Sequence, residues 1–161
     1  MPPTDTAFEE ALRDAVRAAA TRADVRDAVQ AVYADVAAEV DRRRPVCVIS
    51  GKCCRFEEYG HRLYVTTLEL AAFVRDLQPT PPTAWDGTGC PFQVKKLCTV
   101  HAARPFGCRM FFCDATSTEW QNQAYETFHA RLKRLHEELG VPYFYVEWRQ
   151  ALRLLMPDGM L

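Results

Sequence analysis

The chain has 161 residues, 48% of them hydrophobic and 25% charged, which suits one globular unit with a buried core. A formal net charge of −1 excludes a global field that would draw the protein to nucleic acid or to an anionic membrane. No apolar run approaches the roughly 20 residues of a membrane span. The polar opening Met1–Glu10, with Pro2 and Pro3, does not resemble a signal peptide, so the expected compartment is the cytoplasm.

Residues 5–20 predict a helix, because Phe8, Leu12, Ala15 or Val16, and Ala19 recur at helical spacing. Residues 22–43 predict a second, with Val25, Val29, Val32, Val36 and Val40 as its stripe. The stripes differ in phase, and Thr21 with Asp24 resembles a capping box, so a break is expected near Thr21; one long bent helix is the alternative. Arg42–Arg44 and Pro45 end the region. Cys47–Gly60 has no period and reads as loop, and Leu63–Val65 as a short strand. Thr66 and Glu69 form a capping box for a helix over 67–77, with Leu70, Phe73, Val74 and Leu77 inward.

Pro79, Pro81, Pro82, Gly87 and Gly89 make residues 78–89 a loop. Cys90–His101 fits a hairpin with Lys95-Lys96 at its tip and Val94 and Leu97 flanking, and residues 102–116 read as compact and irregular. Residues 117–139 predict a helix, with Thr116 and Glu119 at its cap and Trp120, Ala124, Phe128, Leu132, Leu135 and Leu139 on its core face. Gly140 stops it and Pro142 follows. A last helix is expected over about 146–156, with Tyr143–Val146 a possible strand entry. The expected fold is mainly α: a helical segment, 1–44, packs on a cysteine-cluster region, 45–161, within one globular unit. Helices at both ends then surround a loop-rich core holding at most a short hairpin.

Seven cysteines are the outlying feature. In a reducing compartment, close spacing favours metal or redox work over disulfides, and the odd count fits a closed disulfide framework poorly. The pattern is Cys47-x5-Cys53-Cys54-x35-Cys90-x7-Cys98-x9-Cys108-x4-Cys113. Thiolate is a soft ligand that suits zinc, copper(I) and iron–sulfur clusters. A structural zinc or a cluster each needs about four ligands, and the chain has thiols to spare. Core cysteines usually sit alone on apolar periodic faces, whereas Cys90, Cys98, Cys108 and Cys113 stand beside Pro, Gly, Lys and Arg. The ligand pool is therefore Cys53, Cys54, Cys90, Cys98, Cys108 and Cys113. Cys53 and Cys54 both reach one metal from a tight loop, or one of them bridges two metals; in the simpler reading one ligates and the other is a spectator. Arg104 and Arg109 flank Cys108 and are expected to donate hydrogen bonds to sulfur; a surface ion pair is the competing reading. His101 follows Cys98 at x2, but a packed or exposed histidine is the simpler reading, and His61, His129 and His136 read as surface residues. Glu57, Glu58, Asp86 and Asp114 show no pairing, and no phosphate-binding loop or nucleophile elbow is present.

In order, these motifs resemble the YkgJ-type cysteine-cluster family, the CxxCxxCC zinc- or iron-chelating domain. Its C-x2-C-G-x-C-C motif is matched by Cys47-Val48-Ile49-Ser50-Gly51-Lys52-Cys53-Cys54, with Ser50 in place of the second cysteine. Thr66, Thr67 and Glu69 resemble its helix opening, and Cys90-Pro91-Phe92 its C-P-F. Cys98-Thr99-Val100-His101 carries histidine where tyrosine is usual. Arg104-Pro105-Phe106-Gly107-Cys108-Arg109-Met110-Phe111, followed by Cys113, resembles its last signature. The resemblance covers roughly 47–113. It implies chelation of zinc or iron, including an iron–sulfur cluster, and little about a reaction. Ser50 removes one thiol, which leaves Cys47 outside the first rank of ligands. A related cysteine motif in flagellin lysine methyltransferases keeps electron transfer or a cluster-assisted enzyme as the alternative, although no S-adenosylmethionine motif is visible. A metal ion is the expected partner, a protein partner is compatible, and neither nucleic acid nor membrane is expected.

Overall fold

The computed structural model describes residues 6–46, 54–55, 60–76, 85, 88–95 and 97–156. Cys47, Cys53, Glu57, Glu58, Leu77, Asp86, Lys96 and most of the two expected loops, 47–60 and 78–89, lie outside the described residues. The described residues are mainly helical, with two small two-stranded sheets, and no helix among them is long and apolar enough to cross a membrane.

Helix α1 (Thr6–Ala20) buries Leu12, Ala15, Val16 and Ala19, and α2 (Ala23–Arg43) buries Val25, Val29, Val32 and Val36, which are the stripes that the spacing predicts. The break falls at Thr21–Arg22, but no capping box makes it. Thr21 Oγ1 donates back to Ala18 O at 2.9 Å, and Asp24 accepts from Val25 N and pairs with Arg22. Arg22 is the extended N-cap residue, and its guanidinium also reaches Leu139 O at 2.9 Å, tying the turn to a distant helix end.

Strand β1 (Tyr64–Thr66) runs directly into α3 (Thr67–Asp76). The capping box is formed as expected: Glu69 accepts from Thr66 N at 2.7 Å and from Thr66 Oγ1 at 2.8 Å. Residues Thr67 to Phe73 are all buried, so α3 is covered all round rather than on one stripe. Its Leu70 and Phe73 join Leu12, Val16, Phe92 and Trp148 in one cluster, while Leu68, Ala71 and Ala72 join Val25, Val29 and Val141 in another. A third cluster unites Val32 and Val36 with Phe106, Met110, Ala124 and Leu132.

The expected hairpin is present: β2 (Gln93–Val94) pairs antiparallel with β3 (Leu97–Cys98), with Gln93 opposite Cys98 and Val94 opposite Leu97. Residues 101–117 are more ordered than the composition implies. They hold 3-10 turns at His101–Ala103 and Ala115–Ser117 and a short helix, α4 (Phe106–Met110). Helix α5 (Thr118–Leu139) ends at Gly140, whose φ of 65° is the left-handed cap that glycine adopts without penalty. Its start is organised by Asp114, which accepts from Thr116 N, Thr116 Oγ1 and Ser117 Oγ; the Thr116–Glu119 cap is not formed. These donors hold the Asp114 carboxyl well below the usual carboxylate range, the Thr116 hydroxyl foremost.

Strand β4 (Tyr145–Glu147) and α6 (Trp148–Leu155) close the fold. β4 lies antiparallel to β1 with Val65 opposite Val146. Thr67 locks the junction, since its hydroxyl donates to Pro142 O at 2.8 Å and accepts from Phe144 N at 2.9 Å.

His136 corrects the sequence reading, which placed it on the surface. It is 2% exposed, on the α5 face toward α3. Nε2 accepts from Leu68 N at 3.2 Å, and Nδ1 meets Leu132 O at 2.7 Å, so the neutral Nδ1–H tautomer satisfies both contacts. It therefore caps one of the amide donors that begin α3. Burial holds its pKa below the ordinary histidine value. The unfolded chain then takes up a proton that the native state refuses, so this contribution is complete above the ordinary value of about 6.5 and is lost as pH falls through it. In urea unfolding, wild type is expected to lose more stability between pH 7.5 and 5.5 than His136→Gln does, by about 1 kcal/mol; parallel pH profiles would contradict this role.

Candidate functional site

Two of the expected ligands are joined through the backbone. Cys90 N donates to Cys54 O at 2.8 Å, although 35 residues separate them in sequence. Gly89 makes the approach possible. Its φ is +61°, and a Cβ at that position would lie 2.8 Å from Cys54 O. Cys90 then begins a turn closed by Gln93 N donating to Cys90 O at 3.2 Å, with Pro91 supplying the restricted φ of the second position. The turn leads into β2, and the returning strand β3 ends on Cys98. Thr99 anchors the hairpin base, with both its amide and its hydroxyl donating to Phe92 O.

Cys54 is buried and Cys90 half-buried. The Cys90 thiol packs against the cluster of Phe73, Phe92 and Trp148. The Trp148 indole Nε1–H donates to Cys90 Sγ at 3.4 Å. An N–H donor on sulfur favours the thiolate over the thiol, which is the state a metal needs. Trp148 is buried in the core, and nothing in the spacing links it to Cys90 across 58 positions.

Cys98 and Cys108 are half-buried and Cys113 is exposed. Cys53 lies outside the described residues. Among the described residues, no three His, Cys, Asp or Glu side chains form a group that could hold a metal ion. His101 is exposed.

Cys108 sits in the middle of α4, whose start is fixed from α3: Phe106 N donates to Glu69 Oε1 at 2.8 Å. Arg104 and Arg109 hold the same segment, but their described hydrogen bonds go to carbonyl oxygens rather than to sulfur. Arg104 donates to His101 O at 2.9 Å and to Cys108 O at 3.3 Å, while Arg109 donates to Arg104 O and Ala102 O, each at 2.8 Å. Residues 101–109 are thereby folded back on themselves. Arg109 also lies over the Tyr33 ring, 4.0 Å from its centroid.

This brings together three groups that the sequence reading does not connect: Tyr33, Glu69 and Arg109. The Tyr33 hydroxyl is buried with no hydrogen-bond partner among the described residues. Burial, then the nearby Glu69 carboxylate, pushes it well above the ordinary tyrosine range. Burial raises the Glu69 carboxyl too, against the pull of its donors Thr66 and Phe106, and burial lowers the Arg109 guanidinium. Tyr33 follows Val29 by one helical turn, so its inward position is legible from periodicity; its contact with the Cys108 segment is not.

No protein-family model, no curated protein and no solved structure matches the chain.

Gly89→Ala tests whether the Cys54–Cys90 approach depends on this backbone. The added methyl meets a carbonyl oxygen inside van der Waals distance at a positive φ, so a loss of about 1–3 kcal/mol is expected in thermal or urea unfolding. An unchanged midpoint would mean that the two segments part without consequence.

Proposed function

We propose that this chain is a metal-binding protein that chelates zinc or iron through a cysteine cluster drawn from Cys53, Cys54, Cys90, Cys98, Cys108 and Cys113. The observation that carries the reading is the backbone pairing of Cys54 with Cys90, which joins two cysteine-bearing segments far apart in sequence. The donor chemistry fits a soft metal: the pool is all sulfur, and Cys90 already receives an N–H donor from Trp148. Cys54 and Cys90 form the nucleus of the proposed site, and the remaining ligands come from Cys53, Cys98, Cys108 and Cys113. The resemblance of residues 47–113 to the cysteine-cluster family supports the same chemistry. Bound zinc would organise the loop-rich middle of the chain, with the thiolates deprotonated on binding. Such thiols persist in a reducing compartment, and the cytoplasm is the proposed location.

The alternative is an iron–sulfur protein serving electron transfer or forming part of an enzyme. The surplus of thiols over a single tetrahedral set favours it.

A structural metal contributes about 10–16 kcal/mol of apparent binding energy to folding. Stripping it with a strong chelator, or replacing Cys90 with Ser, is therefore expected to raise hydrogen exchange first across residues 45–115, with α5 protected longer. Thermal melting should fall in parallel. Melting and exchange that ignore the chelator would overturn the metal reading and leave the cysteines as packing groups.

A further inference from the structure

A cleft of about 240 Å³ opens between residues 61–64, helix α4, one face of α5 and the edge strand β4. Among the described residues, the charged groups that line it are all basic. Arg62 and His61 line it, and no Asp or Glu is among the described residues that do. Gln121 also lines it, and its Oε1 accepts from Phe112 N at 2.9 Å, so what the side chain still offers a ligand is its amide N–H donors. Asn122 stands beside it on the same helix.

The remaining wall is largely aromatic. The Tyr64 and Tyr145 rings lie 5.4 Å apart, and the Tyr145 hydroxyl meets that of Tyr125 at 3.0 Å. Burial and this hydroxyl contact push the Tyr125 hydroxyl well above the ordinary tyrosine range, so it adds no negative charge. Tyr64 and Tyr145 remain 39% and 42% exposed, so ring surface is open to a ligand rather than closed into the core. Gly107 keeps the wall thin, because a Cβ there would lie 2.6 Å from Leu63 Cδ1.

A cationic, donor-rich rim beside open aromatic faces selects a small planar anion. We propose that this cleft binds an aromatic carboxylic acid, with its ring against Tyr64 and Tyr145 and its carboxylate toward Arg62, Gln121 and Asn122. Cys108, one of the proposed metal ligands, also lies in the wall of this cleft, but the groups that would recognise the acid are Arg62, Gln121, Asn122 and the tyrosine rings. Its recognition does not depend on that metal.

Benzoate and its uncharged isostere benzamide separate charge from shape. Each is titrated into the isotope-labelled full chain, as purified, and followed by amide NMR shifts. Benzoate is expected to give saturable shifts at Gly107, Gln121, Asn122 and Tyr125, with benzamide weaker by about ten-fold or more. Arg62 is exposed, so Arg62→Gln is expected to keep the wild-type spectrum elsewhere. It should weaken benzoate by about ten-fold while leaving benzamide unchanged. Asn122→Leu, on the exposed helix surface, should weaken benzoate as a second, independent change. Absence of saturable shifts at these residues, equal binding of the two probes, or benzoate binding indifferent to both substitutions would overturn the proposal. A chain that binds benzoate yet holds no metal would retain this site and lose the metal function; the reverse result would retain only the metal.

Discussion

The carboxylate of Glu69 is buried where three donors converge on it, and two distant parts of the chain meet there. One oxygen closes the capping box of α3 through Thr66, and the other takes the amide of Phe106 at the head of α4. A buried carboxylate is costly unless its lone pairs are used, and here they are. Losing the acceptor would leave donors unpaired in the interior, each at about 1–3 kcal/mol. The same contact sets where Cys108 stands, two residues beyond Phe106. It also brings Arg109 against Tyr33, so α2, α3 and α4 share one polar centre inside an apolar surround.

Around that centre the cysteine segments depend on backbone contacts more than on regular structure. Gly89 lets Cys90 reach Cys54, the Pro91 turn feeds the hairpin, and Arg104 and Arg109 brace residues 101–109 through carbonyl oxygens. Each of these segments also plants one large apolar side chain in the core, Phe92 from the hairpin and Phe106 from α4. A metal ligated by thiols from several of them would add cohesion to that packing, which is why metal binding and local stability are coupled in the proposed function.

What was legible in the sequence follows from periodicity and local chemistry. The stripes of α1 and α2, the Thr66–Glu69 box, the β2–β3 hairpin and the Gly140 stop all depend on neighbours within a few residues. What was not legible depends on distant partners. His136 lies beside the expected apolar face of α5, and only the approach of α3, with Leu68 N needing an acceptor, makes it a core group. Thr21 and Thr116 have the composition of caps, yet Arg22 and Asp114 win those positions because each also serves a longer-range contact, Arg22 with Leu139 and Asp114 with Val46. The cysteines were visible as a pool from their number and setting. The pairing of Cys54 with Cys90 and the indole donor on Cys90 belong to tertiary structure alone.

The central claim is that these thiols hold metal. Elemental analysis of anaerobically purified full-length chain, with a visible spectrum from the same sample, tests it most directly. The account predicts about one tetrahedral zinc per chain with no visible band, or iron with acid-labile sulfide and a visible band that dithionite bleaches. Protein with neither metal, after expression with both supplied, would contradict it.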